Sequence, residues 1–368
     1  MFAKRPQRIE VAAGAPGTLM ERLRGFGAGG ALPGPLANPL VGVAGAGLLF
    51  AGAAVALVMV TGDPGAGLPL VRISLRQPVP SLPQAPAATA PVDPATGQAV
   101  ITLQDAAGGR QPLLSAPVAG LSAPGPGGLL PVIGADGRTP AEVYARPFRD
   151  TGGPKVALVI GGLGLNATAT RNAIEQLPPE VTLSFVPYAE GLQGWMDLAR
   201  ANGHEVLLET PMEPVDYPQN DPGPYTLMAQ DPAPETIKRL EWLLSRATGY
   251  FGVTNYLGGR FMASDPAMTV FAGALRQRGL AFVDDGSAAA RGGGLPRASA
   301  DRIIDETLDG GSIDEELARL EATALQRGKA LGSGFAYPIT LQQVQHWAAS
   351  LAGRGITLAP ASAVTARR

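Results

Sequence analysis

The residues that could do chemistry in this sequence stand at the ends of its apolar runs. Glu209 closes EVLLE (205–209), Asn255 and Tyr256 close and follow FGVTN (251–255), and Asp284 and Asp285 end LAFVDD (280–285). Gly161 and Gly162 follow VALVI (156–160), Pro187 and Tyr188 follow VTLSFV (181–186), and Phe335 ends ALGSGF (330–335). In a parallel sheet the carboxyl ends of the strands share one edge, and that edge is where α/β proteins carry their sites. Glu209, Asp284 and Asp285 are therefore the catalytic candidates, in a polar, acidic pocket. Tyr188, Asn255, Tyr256, Arg260, Gly161 and Gly162 are the candidates for binding substrate. Each carboxylate also has an ordinary alternative, because carboxylates after strands cap helices and DDGS (284–287) is a good turn.

Several chemistries are excluded or weakened at once. Cysteine is absent, which removes a thiol nucleophile, a disulfide framework and zinc–thiolate sites. Only His204 and His346 are present. One precedes an apolar run and the other lies in a helical stretch beside Trp347, so no Ser/His/Asp triad assembles. The run VALVIGGLGLNA carries Gly162-x-Gly164-x-x-Ala167, a loose dinucleotide fingerprint, but the second strand ends in FVPY with no acidic residue to hold a ribose. A tight turn explains these glycines more simply, and no nucleotide is expected. A net charge of −2 gives no basic face for nucleic acid.

The elements that must position these residues follow from periodicity. Strands are expected at 156–160, 181–186, 205–209, 251–255 and 280–284, with weaker β signals at 302–305, 330–335 and 356–359. Helices are expected between them, at about 167–177 (Asn166 as N-cap), 192–201, from Pro232, 266–278, 312–327 and 340–352. Strand–helix alternation predicts an α/β fold with a parallel sheet covered by helices, either barrel-like and incomplete or doubly wound and open.

The first 153 residues read differently. Residues 1–38 form a tail with Lys4, Arg5, Arg8, Arg22 and Arg24. Leu40 to Val60 is an uncharged apolar run, about 30 Å long as a helix, which predicts a transmembrane anchor over 39–61. The basic tail keeps the N-terminus cytoplasmic, which in a bacterium puts the remainder in the periplasm. Residues 62–153 are rich in Pro, Ala and Gly and are expected to be a disordered linker, with two strand-like pieces at 70–75 and 99–105. The domain proper is expected over 154–368.

Four segments carry a resemblance: GHEVLLETPMEP (203–214), NDPGPYTL (220–227), VTNYLGGRF (253–261) and GLAFVDDGS (279–287). Together, and in this order, they resemble the divergent polysaccharide deacetylase family, a branch of the NodB-type carbohydrate esterases, over about Lys155 to Ala361. The resemblance implies a distorted (β/α) barrel of about seven strands, acting on an acylated polysaccharide of the cell envelope. Active members resemble metal-dependent deacetylases, in which an Asp pair after the first strand and several histidines surround a divalent metal that activates water. This chain departs from that pattern at each such position, having Gly161 and Gly162 for the Asp pair, and Glu209, Tyr256 and Phe335 for histidines. No metal ligands are assigned, although Glu209, Asp284 and Asp285 could hold a hard cation through oxygen. Three readings stay open: a degenerate domain that binds envelope glycan or an envelope protein, a hydrolase with a carboxylate-based metal site, and a structural interaction protein.

Overall fold

In a computed structural model of the chain, residues 110–286 and 294–367 are described. The chain divides into Met1–Thr102 and Leu103–Arg368, and every described residue belongs to the second unit. The expected tail, the anchor at 39–61 and the strand-like pieces at 70–75 and 99–105 lie outside the described residues. Among those described, no helix is long and apolar enough to cross a membrane.

Among the described residues, nine strands share one parallel direction along a curled sheet. The first six are β3 (Lys155–Leu163), β4 (Thr182–Phe185), β5 (Val206–Met212), β6 (Gly252–Leu257), β7 (Ala281–Asp284) and β8 (Pro296–Ser299), paired in chain order. On the other edge of β3 lie β10 (Lys329–Phe335) and then β9 (Arg302–Ile303). Against the first residues of β3 runs β11 (Thr357–Ala359), while β4 pairs with its last ones. The antiparallel β12 (Ala366–Arg367) adds to β8. This order winds one way around, as a (β/α) barrel does, and the result is a half-barrel open between β12 and β9 rather than a doubly wound sheet.

The apolar runs explain the burial. Val156, Ala157, Leu158, Val159 and Ile160 on β3 are all buried, as expected of a strand covered on both faces. Helix α2 (Ala167–Gln176) begins where Asn166 accepts a bond from the Ala169 N–H, so the expected cap is present. Helices α3 (Leu192–Ala201), α4 (Ala233–Leu244), α6 (Asp265–Gln277), α7 (Gly310–Arg327) and α8 (Pro338–Leu351) pack around the sheet, with the short α5 (Gly259–Ala263) before α6. On α4, Leu240, Leu243 and Leu244 form the buried face.

The folded region begins earlier than residue 154. Residues 110–153 are not a disordered linker: they form a strap on the domain. It contains a hairpin, β1 (Ser122–Gly125) with β2 (Gly128–Pro131), and the short helix α1 (Pro140–Val143), capped by a reciprocal Thr139–Glu142 box. Leu121, Leu130 and Tyr144 are buried. The Arg110 guanidinium donates to the carbonyls of Ile174, Glu175 and Leu177. Composition misleads here because a segment poor in apolar residues can still be ordered by a few anchors when a finished domain supplies the other surface.

Candidate functional site

The carboxyl ends of β3, β4, β5, β6 and β10 surround a cavity of about 780 Å³. Its geometry begins with the glycine pair. Between Ile160 and Leu163 the β3–β4 register slips by one residue, a β-bulge, with Gly162 in the left-handed region at φ +74°. The bulge turns the Gly162 N–H onto Glu209 Oε1 at 2.6 Å, and Ser184 Oγ donates to the same oxygen at 3.0 Å. Among the described residues, the hydrogen bonds to this carboxyl all fall on Oε1.

Glycine at 161 follows from the same contact. A Cβ there would stand 2.9 Å from Glu209 Oε1 and 2.9 Å from Ser184 Oγ, so a side chain at 161 and this carboxylate compete for one space. We expect Gly161→Ala to cost about 1–3 kcal/mol by overpacking. The cost should shrink by at least about 0.5 kcal/mol in a Glu209→Ala background. Urea unfolding of the two single variants and the double variant measures that coupling.

Aromatic rings complete the floor. Phe335 ends β10 against Gly162, where a Cβ would meet its ring at 3.2 Å. Tyr256 meets Phe335 edge-on, with centroids 6.4 Å apart, and Tyr337 lies 6.3 Å beyond. Tyr188 also lines the cavity, its hydroxyl accepting from the Tyr225 N–H while Tyr225 stacks on Trp242 at 3.5 Å. The rim carries Leu165, 69% exposed, and Tyr337, 45% exposed. The polar lining groups include Asn166, Asn172 and Asp221.

Glu209 is 3% exposed, and burial pushes its pKa from 4.5 up to about 7, against the opposing effect of the Gly162 and Ser184 bonds. Tyr256 is raised too, first by burial and then by Glu209 beside it. Because the folded-state pKa of Glu209 lies above the unfolded one, its neutral form is favoured by folding. That contribution is complete below about pH 4.5 and is lost as pH rises toward and through 7. Glu209→Gln keeps the acceptor oxygen and removes the charge. We expect it to leave stability unchanged near pH 4 and to raise it by about 2–3 kcal/mol above pH 7. Urea titrations across that range check the sign.

Of the residues selected from sequence, Gly162, Glu209, Tyr188 and Tyr256 line this cavity, with Gly161 directly behind Glu209. Asp284, Asp285, Asn255 and Arg260 do not line it. Asp284 is buried and accepts from Arg297 Nε at 2.9 Å and Ser299 Oγ at 2.8 Å, with Arg297 Nη2 at 2.8 Å. Asn255 ties backbone instead, donating to the Leu257 carbonyl and accepting from the Asp285 N–H. Arg260 holds a loop through Glu213 at 3.0 Å and the Val215 carbonyl at 2.7 Å. His204 is buried with ring nitrogens 2.8 and 3.0 Å from the Val181 and Ile174 carbonyls, and His346 is exposed. Leu165, Asn172, Asp221 and Tyr337 were not selected. Tyr337 lies two residues past a strand end, the only signal of the four that position alone supplies.

The donor set does not fit a divalent metal. Glu209 is the one carboxylate on the floor, and one of its oxygens is already committed to Gly162 and Ser184. Asp284, the other strand-end carboxylate expected at the site, is paired with Arg297 and does not line the cavity. Among the described residues no group of three His, Cys, Asp or Glu side chains could hold a metal ion.

Comparison with known proteins agrees with this architecture. A family model described as "Divergent polysaccharide deacetylase" matches residues 158–365. The crystal structure of an uncharacterized protein, ATU2773, from Agrobacterium tumefaciens C58 is similar, with 42% sequence identity and a TM-score of 0.61, over 64% of this chain and 99% of that one. An uncharacterized protein of Haemophilus influenzae is 22% identical over 52% of this chain and 70% of its own length. The uncharacterized protein YibQ of Escherichia coli is 22% identical over 57% of this chain and 67% of its own.

Proposed function

This chain belongs to the divergent polysaccharide deacetylase family, and on that footing we propose that its domain binds a cell-envelope glycan without hydrolysing it. One observation carries the reading. The positions where the resemblance calls for metal ligands, Gly161, Gly162, Glu209, Tyr256 and Phe335, meet at one corner of the cavity and fill it with a buried carboxyl and two aromatic rings. The replacements are mutually dependent, since Gly161 leaves the space that Glu209 occupies. What remains is a large cleft lined by Tyr188, Tyr256 and Tyr337, suited to stacking on sugar rings, with amide side chains to bond hydroxyls.

In this reading the segment 39–61 anchors the chain in the inner membrane with its N-terminus cytoplasmic and its domain periplasmic. Protease added to spheroplasts should then cut the domain and spare the tail. For the site, calorimetry of the purified full-length protein with chitooligosaccharides and peptidoglycan fragments should show binding, with no acetate released and no stoichiometric metal. Bound metal together with turnover would overturn the reading.

A second reading rests on Glu209 itself. A carboxyl held at about 7 has the acidity of a general acid–base. A hydrolase built on it requires acyl release that disappears in Glu209→Gln while ligand binding persists.

A further inference from the structure

The charge balance of the cavity has a direction. Among the described residues, the carboxyls that line it are Glu209 on the floor and Asp221 on the loop before Tyr225, and no Lys, Arg or His lines it. Two other buried acids are paired with arginine, Asp284 with Arg297 and Glu213 with Arg260, whereas Glu205 and Asp305 are met by neutral donors. Glu209 receives two neutral donors on one oxygen and no cation, although it is 97% shielded from solvent, its exposure being 3%. Around it stand Phe335 and Tyr256 at the floor, with Tyr188 and Tyr337 on the walls. A carboxyl among aromatic faces is the arrangement that receives an ammonium group, by ion pairing and by attraction to the rings.

We propose that the cavity takes a glycan bearing a free amine, a de-N-acetylated amino sugar in its ammonium form, with the ammonium against Glu209 and the sugar ring on the tyrosines. This rests on the glycan-binding reading and narrows it, because an N-acetyl group offers neither the charge that Glu209 lacks nor a reason for the absence of lining cations. An anionic sugar is disfavoured by Glu209 and Asp221 alike. Asn166 and Asn172, on the α2 side, remain to bond neutral hydroxyls.

Binding of an ammonium also moves a proton. The titratable groups facing the cavity with Glu209 are Tyr256 from β6, Tyr188 after β4, Tyr337 before α8 and Asp221. The groups nearest Glu209 on β3 and β4 are the Gly162 N–H and Ser184 Oγ, which do not titrate. With Glu209 balanced at about 7, an incoming cation drives it to the carboxylate, releasing about half a proton per site near pH 7.

The test is calorimetry of the full chain near pH 7 with glucosamine tetramer and N-acetylglucosamine tetramer, in two buffers of different ionisation enthalpy. Expected are at least about tenfold tighter binding of the free amine, a buffer-dependent heat for it alone, and loss of both in Glu209→Gln. Tyr256→Leu should weaken the free-amine sugar about fivefold to tenfold and the acetylated one less. Equal binding of the two sugars overturns the amine proposal and leaves glycan binding standing. Binding of neither overturns both.

Discussion

Replacing Arg200 with alanine is expected to lower the domain's stability by about 3–5 kcal/mol and to loosen residues 110–145 from its surface. Arg200 sits near the end of α3 and is 2% exposed, one of the largest fully buried side chains among the described residues. Its guanidinium donates to the Leu114 carbonyl from Nε and Nη2, at 3.1 and 2.9 Å, and from Nη1 to Tyr144 at 3.0 Å and Gly249 at 2.8 Å. The Tyr144 ring lies 5.1 Å below it. Burial lowers its pKa to about 10, so it stays charged at neutral pH. Alanine leaves three carbonyls without their donor, and the two buried ones, of Tyr144 and Gly249, are each worth about 1–3 kcal/mol if no water replaces it. Two of the three belong to the strap. Thermal unfolding should fall by roughly 10 °C, and amide exchange should quicken first in 110–145. Lysine cannot reproduce a fork shared among three acceptors and should rescue little. A loss of less than about 1 kcal/mol with protection of the strap unchanged would mean that the apolar anchors hold it by themselves.

What was legible in the sequence and what was not divides along sequence separation. VALVI, VTLSFV and EVLLE announce β3, β4 and β5 because burial on both faces forces continuous apolar runs. Alternation with helices gives their parallel direction, while the winding order, barrel-like or doubly wound, is decided only by the pairing of strands distant in sequence. The strap was illegible because its anchors, Leu121, Leu130 and Tyr144, are sparse, and because Arg200, which holds it, lies 86 residues beyond Leu114. The site shows the same division. The ends of the strands are local information, and they led to Glu209, Tyr188 and Tyr256. The coupling of Gly161 and Gly162 to Glu209, 47 residues on, needs the bulge, which no periodicity reveals. Asp284 was selected for its place at a strand end, yet its role is decided by β8. The register that pairs Asp284 with Ser299 and brings Arg297 beside it is a tertiary fact.

Asp284→Asn is accordingly expected to act on stability and not on ligand. Asp284 Oδ2 accepts from Arg297 Nε and Ser299 Oγ, while Oδ1 accepts from the Gly286 N–H. Arg297 is itself buried over the Phe282 ring, 5.1 Å away. Asparagine keeps the shape and the Gly286 bond but removes the negative charge that faces the buried guanidinium. Breaking a buried pair in this way costs about 3–5 kcal/mol, far more than the pair contributes over an apolar substitute. The double variant Asp284→Leu with Arg297→Met removes both charges and should therefore be more stable than either single variant. Glycan affinity of whatever fraction remains folded should be unchanged, since neither residue lines the cavity. The opposite outcome is also informative. Unfolding within about 0.5 kcal/mol of the parent, with binding or acyl release abolished, would return Asp284 to the site and revive a carboxylate-based hydrolase. Because the Arg297 pair and the Glu209 corner sit on different strands, urea midpoints and calorimetry on the same variants separate the two roles.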